Sequence, residues 1–219
     1  MSSSRAVTVS APSVAQQNPG VRLINLVVDP AAAFRGIADN PRWALAFAAA
    51  VALRFGSLFI FYRPSLTPLK LLAGVVFQVT TITPALLLGS LVVTLAAKAW
   101  RVDVRWTPTF SIVAHVYVAY TLATIAVASI AGAVLPESTE IDLRNPPFTN
   151  VSWLIGDSGD VIVHRMLAEL DVRSVYALVL LWLGLRSASA DATRSPVAYV
   201  IATVAAIRIV GVVGMQLMR

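Results

Sequence analysis

The sequence predicts an all-α fold: a polytopic membrane helix bundle of five transmembrane helices with two short amphipathic interfacial helices. Three observations predict it. First, 58% of the 219 residues are hydrophobic and only 13% are charged, whereas soluble domains carry about 25% charged residues. Second, five apolar stretches reach or approach the ~20 residues that a helix needs to cross a ~30 Å hydrocarbon core. Third, the basic residues gather at the ends of those stretches, where they set topology and meet anionic headgroups. One membrane domain over 29–219 is expected, after a disordered cytoplasmic tail over 1–28.

The tail is polar and holds no apolar run. Residues 1–20 are rich in Ser, Ala, Gln and Pro and lack the apolar core of a signal peptide. The first interfacial helix is expected to begin at Asp29-Pro30. Asp is a favoured N-cap, and Pro suits the first helical position. Phe34, Ile37 and Ala38 share one face of it, beside Arg35 and Arg42, and Asn40-Pro41 ends it. A helix of that pattern is expected to lie on the cytoplasmic leaflet.

The spans follow at about 43–62, 71–97, 110–135, 175–188 and 196–218. The second and third exceed the minimum length, which calls for tilt or a kink. Pro84 interrupts one backbone hydrogen bond of the second. The fourth is the shortest, and Arg173 before it is expected to snorkel toward water. An external loop over 136–172 contains Pro146-Pro147 and seven of the eleven acidic residues. The second amphipathic helix falls in that loop at 160–170, where Val163, Met166, Leu167 and Leu170 follow a helical spacing. Of the Lys and Arg outside the spans, nine lie on the N-terminal side and six on the other. The positive-inside rule therefore places the N-terminus in the cytoplasm and the C-terminus outside.

Few side chains suggest chemistry. Arg54 and Arg208 lie near the middles of the first and fifth spans, and no span contains Asp or Glu. A charge at that depth costs about 2.5–3.5 kcal/mol on insertion scales, so such residues face a bundle interior, a lipid headgroup or a partner. Gln78 and Thr81, with Thr80 and Thr83, cluster at Pro84. They suit a polar path along the second span or, more simply, hydroxyl bonds to the preceding turn. His115 lies in the third span near Tyr117 and Tyr120. A lone histidine is a hydrogen-bonded bundle residue before it is a haem or chlorophyll ligand. The other histidine, His164, is in the outer loop, and there is no cysteine, so no metal site is expected. Gly184, Gly211 and Gly214 suit close helix packing. P-loop, GxSxG, HExxH and dinucleotide patterns do not occur, and no nucleic-acid motif accompanies the net charge of +6.

Two stretches resemble a known family. The segment Asp29-Pro-Ala-Ala-Ala-Phe-Arg-Gly-Ile-Ala-Asp-Asn-Pro-Arg-Trp43 resembles the pre-membrane helix of bacterial Yip-domain proteins, relatives of the eukaryotic Rab-interacting Yip proteins. Leu170-Asp-Val-Arg-Ser-Val-Tyr-Ala-Leu-Val-Leu-Leu-Trp-Leu-Gly-Leu185 resembles the stretch in which an interfacial helix meets a span ending in Gly-Leu. The resemblance covers residues 27–215 and implies an integral membrane scaffold or trafficking-type protein without catalysis. The expected function is a non-enzymatic accessory or scaffold subunit of a bacterial inner-membrane complex, contacting lipids and other membrane-protein subunits and needing no cofactor. Arg54, Arg208, Gln78, Thr81, Arg35 and Arg42 are its candidate lipid- or partner-contact residues. A small transporter along the second span, or a lipid-binding or membrane-shaping protein, are the alternatives.

Overall fold

A computed structural model describes residues 18–62, 67–134, 171–189 and 194–217, together with Thr149, Val163 and Leu167. Among these residues the fold is all-α, with seven helices: α1 (Pro19–Val28), α2 (Pro30–Asp39), α3 (Trp43–Tyr62), α4 (Pro68–Ala99), α5 (Trp106–Val134), α6 (Val172–Ala188) and α7 (Arg194–Leu217). The long α4 and α5 are apolar enough to cross a membrane, whereas the apolar stretches of α3 and α7, Trp43–Ser57 and Pro196–Gly211, are shorter. The amphipathic helix expected at 160–170 lies outside the described residues except for Val163 and Leu167, as does the outer loop except for Thr149.

Residues 19–28, expected within a disordered tail, form α1, and residues 1–17 of that expected tail lie outside the described residues. The Asn18 side chain caps it by accepting from the Gly20 N–H at 2.9 Å, and Pro19 supplies the first helical position. Leu26 and Arg22 are buried. A guanidinium Nη1 of Arg22 donates to the Asn40 carbonyl at 2.8 Å, which ties the start of α1 to the end of α2. Burial and the nearby Arg42 lower the Arg22 pKa, against an opposing pull from Asp39.

The α2 helix departs most from expectation. Its apolar face does not turn to lipid. Ala33, Phe34, Gly36 and Ile37 are buried against the rest of the protein, because α2 packs on α6 and α5 while α1 folds back beside it. The sequence pattern is the same for either outcome, since a helix with one apolar stripe buries it against whatever apolar surface is nearest. Asp29 caps α2, its carboxylate accepting from the Ala32 N–H at 3.1 Å. Asp29→Ala is expected to lower stability by about 1 kcal/mol, read as a drop in thermal midpoint of the protein purified in mild detergent. An unchanged midpoint would show that packing alone holds α2.

At the centre stands α5, which touches α1, α2, α3, α4 and α6. Two apolar clusters result. One gathers Phe34 and Ile37 of α2, Ile112 of α5, Leu181 and Leu185 of α6 and Val197 and Val200 of α7. The other joins Ala46 and Ala50 of α3 to Ile82 and Leu86 of α4 and Ala114 and Val118 of α5. Gly184 lets α2, α5 and α6 meet: a Cβ there would stand 3.1 and 3.2 Å from the Phe34 ring and would overlap Ile112 Cγ2. The close packing expected of Gly184 is therefore present. Gly211 and Gly214 instead have no neighbour within 4 Å of a Cβ position among the described residues.

The α4–α5 connection is tight. Arg101 adopts φ 57°, and the Val102 and Arg101 N–H groups donate to the Ala97 and Lys98 carbonyls at 2.8 and 3.1 Å. That pattern closes a helix with a left-handed residue after the cap. It folds Val102 and Val104 under the bundle end, where both are buried. α4 itself runs unbroken through Pro84 for 32 residues.

Candidate functional site

Most polar side chains inside the helices are tied to their own backbone. Thr80, Thr81 and Thr83 each donate to carbonyls three or four residues back, at 2.7–3.1 Å. Ser90, Thr121, Thr124 and Thr203 do the same. This is the ordinary way for a hydroxyl to be satisfied in an apolar helix. Thr80 and Thr81 face away from the bundle, and Gln78 is buried. The residues around Pro84 thus do not converge on one path. His115 is buried, with Nδ1 2.7 Å from the Ser111 carbonyl, and Arg22 of α1 lies within electrostatic reach of it. No cluster of three or more potential metal ligands occurs among the described residues.

The end of the bundle that carries α1 and α2 is basic and aromatic. Arg35, Arg42, Lys98, Arg101, Arg105 and Arg186 are all exposed there. Trp43, Trp100 and Trp106 are each about two-fifths exposed (42–43%). Trp43 meets Phe110 edge-on at 5.4 Å, and Trp100 stacks on Tyr199 at 4.7 Å while its Nε1 donates to Thr203 at 2.9 Å. The Arg186 guanidinium lies 5.5 Å from the Trp182 ring centre. Amphipathic rings beside cations mark a membrane–water boundary.

At the opposite end lies a feature that periodicity did not reveal. Arg173 does not snorkel, because it is only 3% exposed. Its guanidinium grips the equally buried Asp171 carboxylate, with Nε donating at 2.7 Å and Nη2 making a second, closer contact. Nη1 donates to Thr124 of α5 at 3.1 Å, and the group lies over the Tyr120 ring. Asp171 also caps α6 by accepting from the Arg173 N–H at 2.8 Å. An Asp directly before an apolar run is an N-cap signal, and it was the one clue in the sequence.

Arg54 and Arg208 are not brought together. Arg54, on α3, is half-buried and within electrostatic reach of the Tyr117 hydroxyl on α5. Arg208 is on α7, exposed, and borders a cavity of about 290 Å³. Gly89 and Val93 of α4, Val113 and Val116 of α5, Leu181 of α6 and Val204 of α7 form its walls. The cavity exists because α7 packs on α4 and α6 and makes no comparable contact with α5.

The Yip1 domain family model matches residues 24–215, which include half of α1, all of α2 to α6 and all but the last two residues of α7. The chain belongs to the Yip1 domain family. Comparison with curated proteins gives no match, nor does comparison with solved structures. This Yip1 domain is a membrane protein with apolar helices, and both stretches that carried the resemblance fall in the match. Their roles in the fold are now visible. The first is α2, whose Phe34 fills the space left by Gly184. The second opens with the Asp171–Arg173 pair and closes on Gly184-Leu185, so it is anchored at both of its ends.

Proposed function

We propose that this Yip1-domain protein is a non-enzymatic scaffold of the bacterial inner membrane, built on five spans (α3 to α7) and packing against other membrane-protein subunits and lipids. The observation that carries this reading is the state of the polar side chains within the helices. Most of the hydroxyls among them donate to a carbonyl of their own helix, while Thr94, Ser111 and Ser174 are buried with no hydrogen-bond partner among the described residues; the bonded majority builds a firm body with little side-chain chemistry poised to act. The exposed basic and aromatic end supports a cytoplasmic N-terminus, with Arg35 and Arg42 at the headgroups. A conducting path along α4 lacks such support, since Thr80 and Thr81 face outward and bond their own helix.

The test is purification from native membrane in gentle detergent, with quantitative mass spectrometry of what accompanies the protein. A variant carrying Arg54→Leu, Arg35→Glu and Arg42→Glu is expected to lose its stoichiometric membrane-protein partners by about tenfold or more, as follows from removing about 1.4 kcal/mol of interface energy. An unchanged partner set would refute contact through these residues. A parent protein that purifies alone would refute the scaffold role.

A further inference from the structure

The cleft between α4, α5, α6 and α7 is almost wholly aliphatic, with one cation, Arg208, in its wall. Its volume of about 290 Å³ is at the small end of ligand cavities, which run to about 1,000 Å³. Such an aliphatic space accepts a hydrocarbon chain. Within a bilayer the tails of surrounding lipids are as apolar as the cleft, so fit and charge, not hydrophobicity, decide what stays there.

Depth fixes the direction of entry. The 24 residues of α7 span about 36 Å, some 6 Å more than the hydrocarbon core. Arg208 follows Arg194 by about 21 Å along that axis. On the five-span reading proposed above, with α7 as a span centred in the core, the arginine lies about 12 Å from the interface away from α1 and α2. Snorkelling and local thinning of the bilayer bring the guanidinium and a phosphate of that leaflet together. Val204 lies one turn deeper, and Val93 and Val113 are closer still to the α1–α2 end. A lipid with its phosphate at Arg208 therefore has a tail already directed down the cleft. An arginine recognises a phosphate by charge-assisted hydrogen bonds.

We propose that this cleft holds one acyl chain of an anionic phospholipid from that leaflet, with its phosphate at Arg208. The full chain is purified, equilibrated with vesicles of equimolar phosphatidylglycerol and phosphatidylcholine, and examined by native mass spectrometry. One phosphatidylglycerol per protein is expected, retained about tenfold or more over phosphatidylcholine, as a charged hydrogen bond gives. Arg208→Gln brings the two lipids near parity, and Arg208→Lys keeps most of the preference. Val204→Trp fills the cleft and abolishes retention, whereas Val210→Trp on the exposed face of α7 leaves it unchanged. Parity in the parent protein, or a preference that survives both Arg208→Gln and Val204→Trp, would overturn the proposal. A free fatty acid retained in place of the diacyl lipid would overturn its source.

Discussion

Asp171→Ala is expected to destabilise the folded bundle by about 3–5 kcal/mol, the usual cost of removing one partner from a buried ion pair. Arg173 is the reason the cost is high. A guanidinium cannot shed its proton to escape burial, and this one is only 3% exposed. Asp171 accepts two hydrogen bonds from it and supplies a full negative charge, and among the described contacts Thr124 and the Tyr120 ring are neutral. The substitution also removes the cap of α6 and a carboxylate that favours the helix N-terminus. Thermal unfolding in mild detergent, followed by tryptophan fluorescence, measures the loss. The double variant Asp171→Ala/Arg173→Met should regain most of it, because both charges of the pair are then gone. Should Asp171→Ala unfold within about 0.5 kcal/mol of the parent, a surface-like value, the pair does not hold the far end of α6.

Gly184→Leu should be the second most damaging change, costing about 3 kcal/mol or more. A Cβ alone would overlap Ile112 Cγ2 and press on the Phe34 ring, and overpacking a filled core typically costs about 1–3 kcal/mol. A leucine adds three further carbons where α2, α5 and α6 are all buried. Of the three, α2 is the shortest and is expected to move. Protease cleavage near residue 40 should then become faster while α5 stays protected. Ile112→Ala clears the overlapping methyl, so Gly184→Ala in that background should be less harmful than in the parent. Equal damage in both backgrounds would show that the glycine is needed for another reason.

The order of the elements was legible because composition and run length depend only on the chain. α3 matched its expected bounds, α4 to α7 came within a few residues, and each extension had a local cause. Thr67 caps α4 and Pro68 opens it, three residues before the apolar run begins. Asp171 extends α6 toward its N-terminus in the same way. α1 was missed because Gly20, Asn25 and its valines weaken helical propensity, and its stability comes from Arg22 and Leu26 packing inside. Among the candidate residues, Arg35 and Arg42 reached the surface that their pattern implied. Gln78 is buried and Thr81 exposed although only about 60° separates them around the helix, because the bundle covers just a narrow strip of α4.

The sequence by itself determined that this is an α-helical membrane protein, which end of the bundle carries the basic residues, and that Gly184 permits a close approach. These follow from hydropathy, charge and side-chain size, which are properties of single residues and their spacing. Only the tertiary structure decided that α2 buries its apolar face in protein, that Arg173 turns inward to Asp171, and that a cleft opens beside Arg208. Each of these depends on what covers a face rather than on the face itself. An amphipathic stripe names the side to be buried but not the surface that buries it, and a gap between α5 and α7 exists only once four helices have taken their places.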